Sequence, residues 1–87
     1  MDIQQAVNIG PKLSADLRKE GIETLETLQS LGVGEAWLRL QAVAPERDCT
    51  HTCLALGGAI RGIRWTLLSE EEKKNILREV QDASSGD

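Results

Sequence analysis

Val7-Asn8-Ile9-Gly10-Pro11-Lys12-Leu13-Ser14-Ala15 is the stretch whose reading decides the fold. Asn8 is a residue type that tolerates a positive φ, and Gly10 allows two backbones to approach closely. Pro11 suits the first position of a helix, where its missing N–H costs nothing. The stretch therefore reads as a tight hairpin that opens a helix. A helix N-terminus presents free backbone N–H groups, and these can hold a phosphate. Gly10 and Lys12 would make such a contact within the Asn8-to-Lys12 turn, with Arg18 and Lys19 further along the same helix. Asp16 and Glu20 interleave with those cations. The bland alternative, a hairpin that only turns a corner, stays open.

Working outward, the punctuation is helical throughout. Leu13 and Leu17 share a face, and Gly21 supplies a stop after which Ile22 can fold back on Leu17. Thr24 reads as an N-cap ahead of Leu25, Leu28 and Leu31, and Gly32 stops that helix. A further helix over 34–43 carries Val33, Trp37, Leu40 and Val43 or Ala44, and Pro45 ends it. Residues 45–50 form the longest polar linker. A helix over 51–61 places Cys53, Leu56, Ile60 and Ile63 on one stripe. Ser69 with Glu72 is a capping box for the last helix, Glu70, Glu71 and Glu72 oppose its positive end, and Ile76, Leu77 and Val80 form its buried edge. The expectation is an all-α fold of five or six short helices over residues 1–81, with a polar, fraying tail at 82–87. Leu17, Leu28, Trp37, Leu40, Leu56, Ile60, Trp65 and Ile76 are the expected core.

Composition narrows the function. A chain of 87 residues makes one domain with one modest core, and such a domain has little room for a deep catalytic cleft. No apolar run approaches the roughly 20 residues of a membrane helix. Met1-Asp2-Ile3-Gln4-Gln5 lacks the pattern of a signal peptide, so the expected compartment is the cytoplasm. Net charge is −4, from 10 basic and 14 acidic side chains, whereas a dedicated nucleic-acid binder is usually basic. The two aromatics, Trp37 and Trp65, are too few for a base-stacking platform.

Three clusters invite chemistry. Cys49-Thr50-His51-Thr52-Cys53 has zinc-ligand residue types, but structural zinc takes four ligands and the chain has no other Cys or His. The two cysteines read as reduced thiols, because a helix turn rarely permits a bridge at that spacing. Gly57 and Gly58 inside a helix cost about 1 kcal/mol each, which close approach of another backbone would offset. The acids of Glu70-Glu71-Glu72-Lys73-Lys74 are accounted for by capping, and no nucleophile or base converges on them. No triad, phosphate-binding loop or metalloprotease motif occurs, so no catalytic, cofactor-binding or metal-binding residue is assigned.

The chain resembles the C-terminal domain of the TfoX/Sxy family of competence regulators. Three stretches carry the resemblance: Asn8 to Lys12 with Gly21-Ile22-Glu23-Thr24-Leu25; Glu35-Ala36-Trp37-Leu38-Arg39-Leu40; and Ala55 to Trp65. The third, an Ala-Leu-x-Gly-Ala-aliphatic-Arg-Gly pattern closing on Trp, is the most distinctive, with Gly57 in place of a larger polar residue. Asn8 stands where a helix-hairpin-helix motif carries its first glycine. The resemblance implies a helix-hairpin-helix-like (SAM-like) bundle. In full-length members that bundle follows an α/β domain, to which nothing in these residues corresponds. It implies a non-enzymatic regulatory and protein-interaction module, with transcription machinery such as the cyclic-AMP receptor protein as partner. The contact region expected for a partner or a phosphate is Asn8, Gly10, Pro11, Lys12, Arg18 and Lys19. The rival expectation is weak, sequence-independent contact with the DNA backbone through the same turn.

Overall fold

The computed structural model describes residues 1–85. It contains a 3-10 turn at Ile3–Gln5, then α1 (Pro11–Lys19), α2 (Leu25–Val43), α3 (Cys49–Arg61), a second 3-10 turn at Trp65–Leu67, and α4 (Glu70–Ser84). Among the described residues there is no strand, only an isolated antiparallel bridge between Asp2 and Thr24. No helix among the described residues is long and apolar enough to cross a membrane.

The described residues thus form four α-helices rather than five or six. The difference lies at Gly32. Its φ of 83° breaks the helical path, as its reading as a stop requires, yet the helix resumes at once and α2 runs on as two halves across a kink. The second half needs a cap, and α4 supplies it: the Val33 N–H donates to Glu79 Oε2 at 3.1 Å. No linker is needed where a neighbouring helix satisfies the free N–H.

Four boundaries follow local rules. Gly10 precedes α1 in extended conformation with Pro11 at its first position. At its other end Gly21 N–H bonds Arg18 C=O and Ile22 N–H bonds Leu17 C=O, the paired bonds of a Schellman stop. Thr24 Oγ1 caps α2 by accepting from Thr27 N–H at 3.1 Å. Ser69 and Glu72 form the expected reciprocal capping box on α4.

Two other boundaries depart from expectation. Asp48 accepts from the His51 N–H and starts α3 at Cys49, so the polar linker is shorter than 45–50. Helix α4 continues through Asp82 and Ala83 to Ser84, into the segment expected to fray, because Ala83 packs on Gly34: a Cβ built on Gly34 would lie 2.7 Å from the Ala83 methyl. Residues 86–87 of that expected tail lie outside the described residues. The arm ahead of the hairpin is a single 3-10 turn. Ile3 N–H bonds Glu23 C=O and Leu25 N–H bonds Met1 C=O, so the first residues are drawn out alongside 23–25 and too few remain for an α-helix.

Helix α2 packs against both α3 and α4, and one core joins all four helices to the leading turn. Leu17, Leu28, Leu40, Leu56 and Ile76 are fully buried and Trp37 nearly so. Ile60 and Trp65 are only half-buried against that core, since the last turn of α3 and the second 3-10 turn lie at its edge. Ile3, Ile22, Val33 and Leu68 are also buried.

Candidate partner-binding surface

Asn8 organises this face of the molecule. It takes the left-handed conformation, φ 72°, that its residue type allows. Its side chain turns inward. Nδ2 donates to Ile63 C=O at 3.0 Å and to Ala55 C=O at 3.3 Å, while Oδ1 accepts from Trp65 N–H at 3.2 Å. One amide therefore staples the hairpin to the end of α3 and to the turn that follows. A glycine could make the turn but not the staple. The amide lies so close to α3 that a Cβ on Gly58 would sit 2.6 Å from Asn8 Nδ2 and 2.6 Å from the Ile63 oxygen. Gly57 likewise leaves room for Ile76, which a Cβ would meet at 2.5 Å. Both helical glycines thus serve packing within the chain.

The expected contact residues do not form one cluster. Gly10, Pro11 and Lys12 are exposed at the start of α1. Gly10 offers no side chain to cap that helix, so the Lys12 and Leu13 N–H groups have no capping partner. Arg18 instead pairs with Asp2 at 2.6 Å, and that guanidinium, with a second hydrogen bond from Gln4 N–H, holds the Asp2 carboxyl below its usual range. Lys19 lies 3.8 Å from Asp16, whose other oxygen takes two bonds from Arg47, from Nε at 3.0 Å and Nη2 at 2.8 Å. Of the three cations on α1, Lys12 alone makes no ion pair among the described residues.

Beside the hairpin lies an open groove of about 420 Å³. Asn8 and Leu13, His51, Thr52 and Ala55 of α3, and Arg47 and Trp65 line it. His51 is mostly exposed. Its Nδ1 lies 3.0 Å from Asp48 Oδ2, and its ring meets the edge of Trp65 at a centroid distance of 5.6 Å. Sequence reading missed Arg47 and Thr52, because the pairing of Arg47 with Asp16 spans 31 residues and leaves no local signal. The Asp48 cap was legible in principle as an acid just before the helix.

The cysteines are free. Their sulfurs lie 3.6 Å apart on the first turns of α3, and burial pushes the Cys53 thiol well up from its ordinary range. No group of three or more His, Cys, Asp or Glu side chains able to hold a metal occurs among the described residues.

The same arrangement of helices exists in solved proteins. The chain is similar to an uncharacterized protein from Listeria monocytogenes, with 34% identity and a TM-score of 0.83 over 98% of this chain and 96% of that one. A second Listeria monocytogenes structure, of a protein of unknown function, gives 36% identity and a TM-score of 0.78 over 92% of this chain and 98% of that one. No curated protein matches. The family model described as the TfoX C-terminal domain matches residues 1–80, which include the Asn8 staple, both packing glycines and the capped α4, and the chain belongs to that family.

Proposed function

We propose that this domain is a non-enzymatic regulatory module that binds a protein partner through the hairpin and the exposed face of α1. The competence and transcription context comes from its family, which is a regulatory one. The single observation that carries the choice of protein over DNA is the engagement of Arg18 by Asp2 and of Lys19 by Asp16. Phosphate binding depends on free cations, and residues 1–30 set three positive side chains against five negative ones. Transcription machinery, of which the cyclic-AMP receptor protein is the member named by the resemblance, is the partner class proposed.

One observation favours a second reading. The uncapped Lys12 and Leu13 N–H groups at the start of α1, beside the free Lys12 side chain, are suited to a phosphate. A partner that holds DNA close would raise its effective concentration at this turn. Two titrations separate the readings. In fluorescence anisotropy, the chain should bind a labelled duplex no more tightly than about 10⁻⁵ M at physiological salt. In calorimetry, it should bind the purified cyclic-AMP receptor protein, with weakening on Lys12→Glu. Sub-micromolar duplex binding, steeply salt-dependent and lost on Lys12→Glu, overturns the protein reading in favour of DNA.

A further inference from the structure

Cys49 and Cys53 lie outside the expected contact residues, yet their sulfurs are 3.6 Å apart. The two thiols differ in access. Cys49 is the first residue of α3 and is exposed, whereas Cys53 is fully buried in the core. Four residues along a helix separate Cα atoms by roughly 6 Å, within the span of ordinary disulfides. The interior of a helix resists the remaining approach of the sulfurs, but a first turn lacks the full ladder of bonds. Here Asp48 clasps that turn. Its Oδ2 accepts from His51 N–H at 3.0 Å, and its carbonyl accepts from Thr52 N–H at 3.1 Å. The Asp48 and His51 side chains are mostly exposed, and a helix end held by exposed bonds opens at low cost. His51 and Thr52, between the two cysteines, line the groove beside the hairpin, and the His51 ring meets Trp65 at 5.6 Å.

We propose that Cys49 and Cys53 are a redox switch: hydrogen peroxide joins them in a reversible disulfide that opens the first turn of α3 and displaces His51 and Thr52 from the groove. The order of events follows from exposure. The Cys49 sulfur, as thiolate, attacks a peroxide oxygen. An S–O bond forms, the O–O bond breaks, and the released hydroxide takes up the thiol proton and leaves as water. The turn then opens and Cys53 comes out of the core. Its sulfur attacks the Cys49 sulfenic acid. The S–S bond forms, the S–O bond breaks, and the departing hydroxide carries off the Cys53 proton as a second water. Two electrons pass from the sulfurs to the peroxide. A dithiol reductant reverses the change by thiol–disulfide exchange. Burial keeps Cys53 as the thiol, which makes it the resolving rather than the attacking sulfur. A bridge that distorts its helix is strained, and strained bridges are the easily reduced, regulatory ones. The switch is a property of this chain alone, whichever partner the surface takes.

The test is treatment of the reduced whole chain with hydrogen peroxide, then capping of remaining thiols, trypsin digestion and mass spectrometry. Cleavage after Arg47 and Arg61 leaves both cysteines in residues 48–61. That peptide should lose two hydrogens, and dithiothreitol should restore them. In the isotope-labelled chain, oxidation should move the Trp65 indole N–H cross-peak along with the His51 and Thr52 amides. It should also lower the thermal midpoint, since Cys53 leaves the core. Cys49→Ser removes only an exposed sulfur and should fold, and its Cys53 should stay unreacted at the same peroxide dose. Cys53→Ser should stop at a Cys49 sulfenic acid that dimedone traps. Should Cys53→Ser fail to fold, Cys49→Ser carries the test. No loss of thiol, oxygen added to Cys49 with Cys53 still free, or a bridge between two chains each overturn the proposal. So does oxidation of Cys53 in Cys49→Ser, or a bridge that leaves the Trp65 indole unmoved.

Discussion

Asn8 shows how much one side chain can decide. The residue fits the left-handed turn, and its amide makes three hydrogen bonds to segments 47 to 57 residues away. Asn8→Gly keeps the backbone freedom and removes the staple. A typical hydrogen bond contributes about 1 kcal/mol net, so the variant should lose about 2 kcal/mol or more in a urea titration. A loss under about 0.5 kcal/mol would show that the staple does not hold the hairpin. At the same scale, Glu72 sits in a capping box where the Ser69 N–H and hydroxyl hold its carboxyl below the ordinary 4.5. A depressed carboxyl stabilises the folded state above its unfolded pKa and stops doing so as pH falls through the lower folded value. A carbon-detected NMR titration should therefore find Glu72 titrating below 4.5, and Ser69→Ala should return it toward that value.

The two adjacent glycines of α3 each admit a different neighbour, and the consequences differ by position. A Cβ at Gly57 would press on the Ile76 side chain at 2.5 Å, whereas a Cβ at Gly58 would meet the Ile63 backbone oxygen and the Asn8 amide, each at 2.6 Å. Side chains can shift rotamer at a cost; Ile63 is fixed by its N–H on Gly58 C=O and by its oxygen accepting from Asn8 Nδ2, so its carbonyl cannot move without breaking those bonds. Overpacking typically costs about 1–3 kcal/mol. Gly58→Ala should therefore destabilise more than Gly57→Ala in paired denaturant titrations, and should also shift the Asn8 side-chain amide resonance. Equal losses with an unmoved Asn8 amide would contradict the contact. Alanine otherwise gains about 1 kcal/mol in helix propensity over glycine, so the measured losses are net of that gain.

For the whole molecule, stability rests on one shared core. Leu56 of α3 is fully buried within the cluster that joins all four helices to the leading turn. Leu56→Ala should cost about 2–5 kcal/mol by denaturant titration, a large fraction of what a domain of this size possesses. A loss under about 0.5 kcal/mol would mean that the face is not packed as described. The partner surface belongs to this same scale. Hairpin, α2–α3 loop, α3 and the second 3-10 turn each give the groove residues, so it exists only when the core is assembled.

The sequence by itself determined the all-helical class, most helix ends and the family, because caps, glycine stops and apolar spacing act within a few residues of one another. Thr24, Gly21 and the Ser69–Glu72 box fall where they were read. Gly32 was legible as a break, but its reading as a boundary between separate helices was not upheld, since the cap that lets α2 resume comes from Glu79, 46 residues away. Ile60 and Trp65 sit on a good apolar stripe, and only the end of α3 at the edge of the core leaves them half-exposed. The same holds for charge: Arg18 and Lys19 are free cations in sequence and paired ones in the fold. Local rules write the elements. The staple of Asn8, the fixing of Arg47 by Asp16 and the groove between them depend on contacts between residues far apart in the chain, and only packing of the whole brings those together.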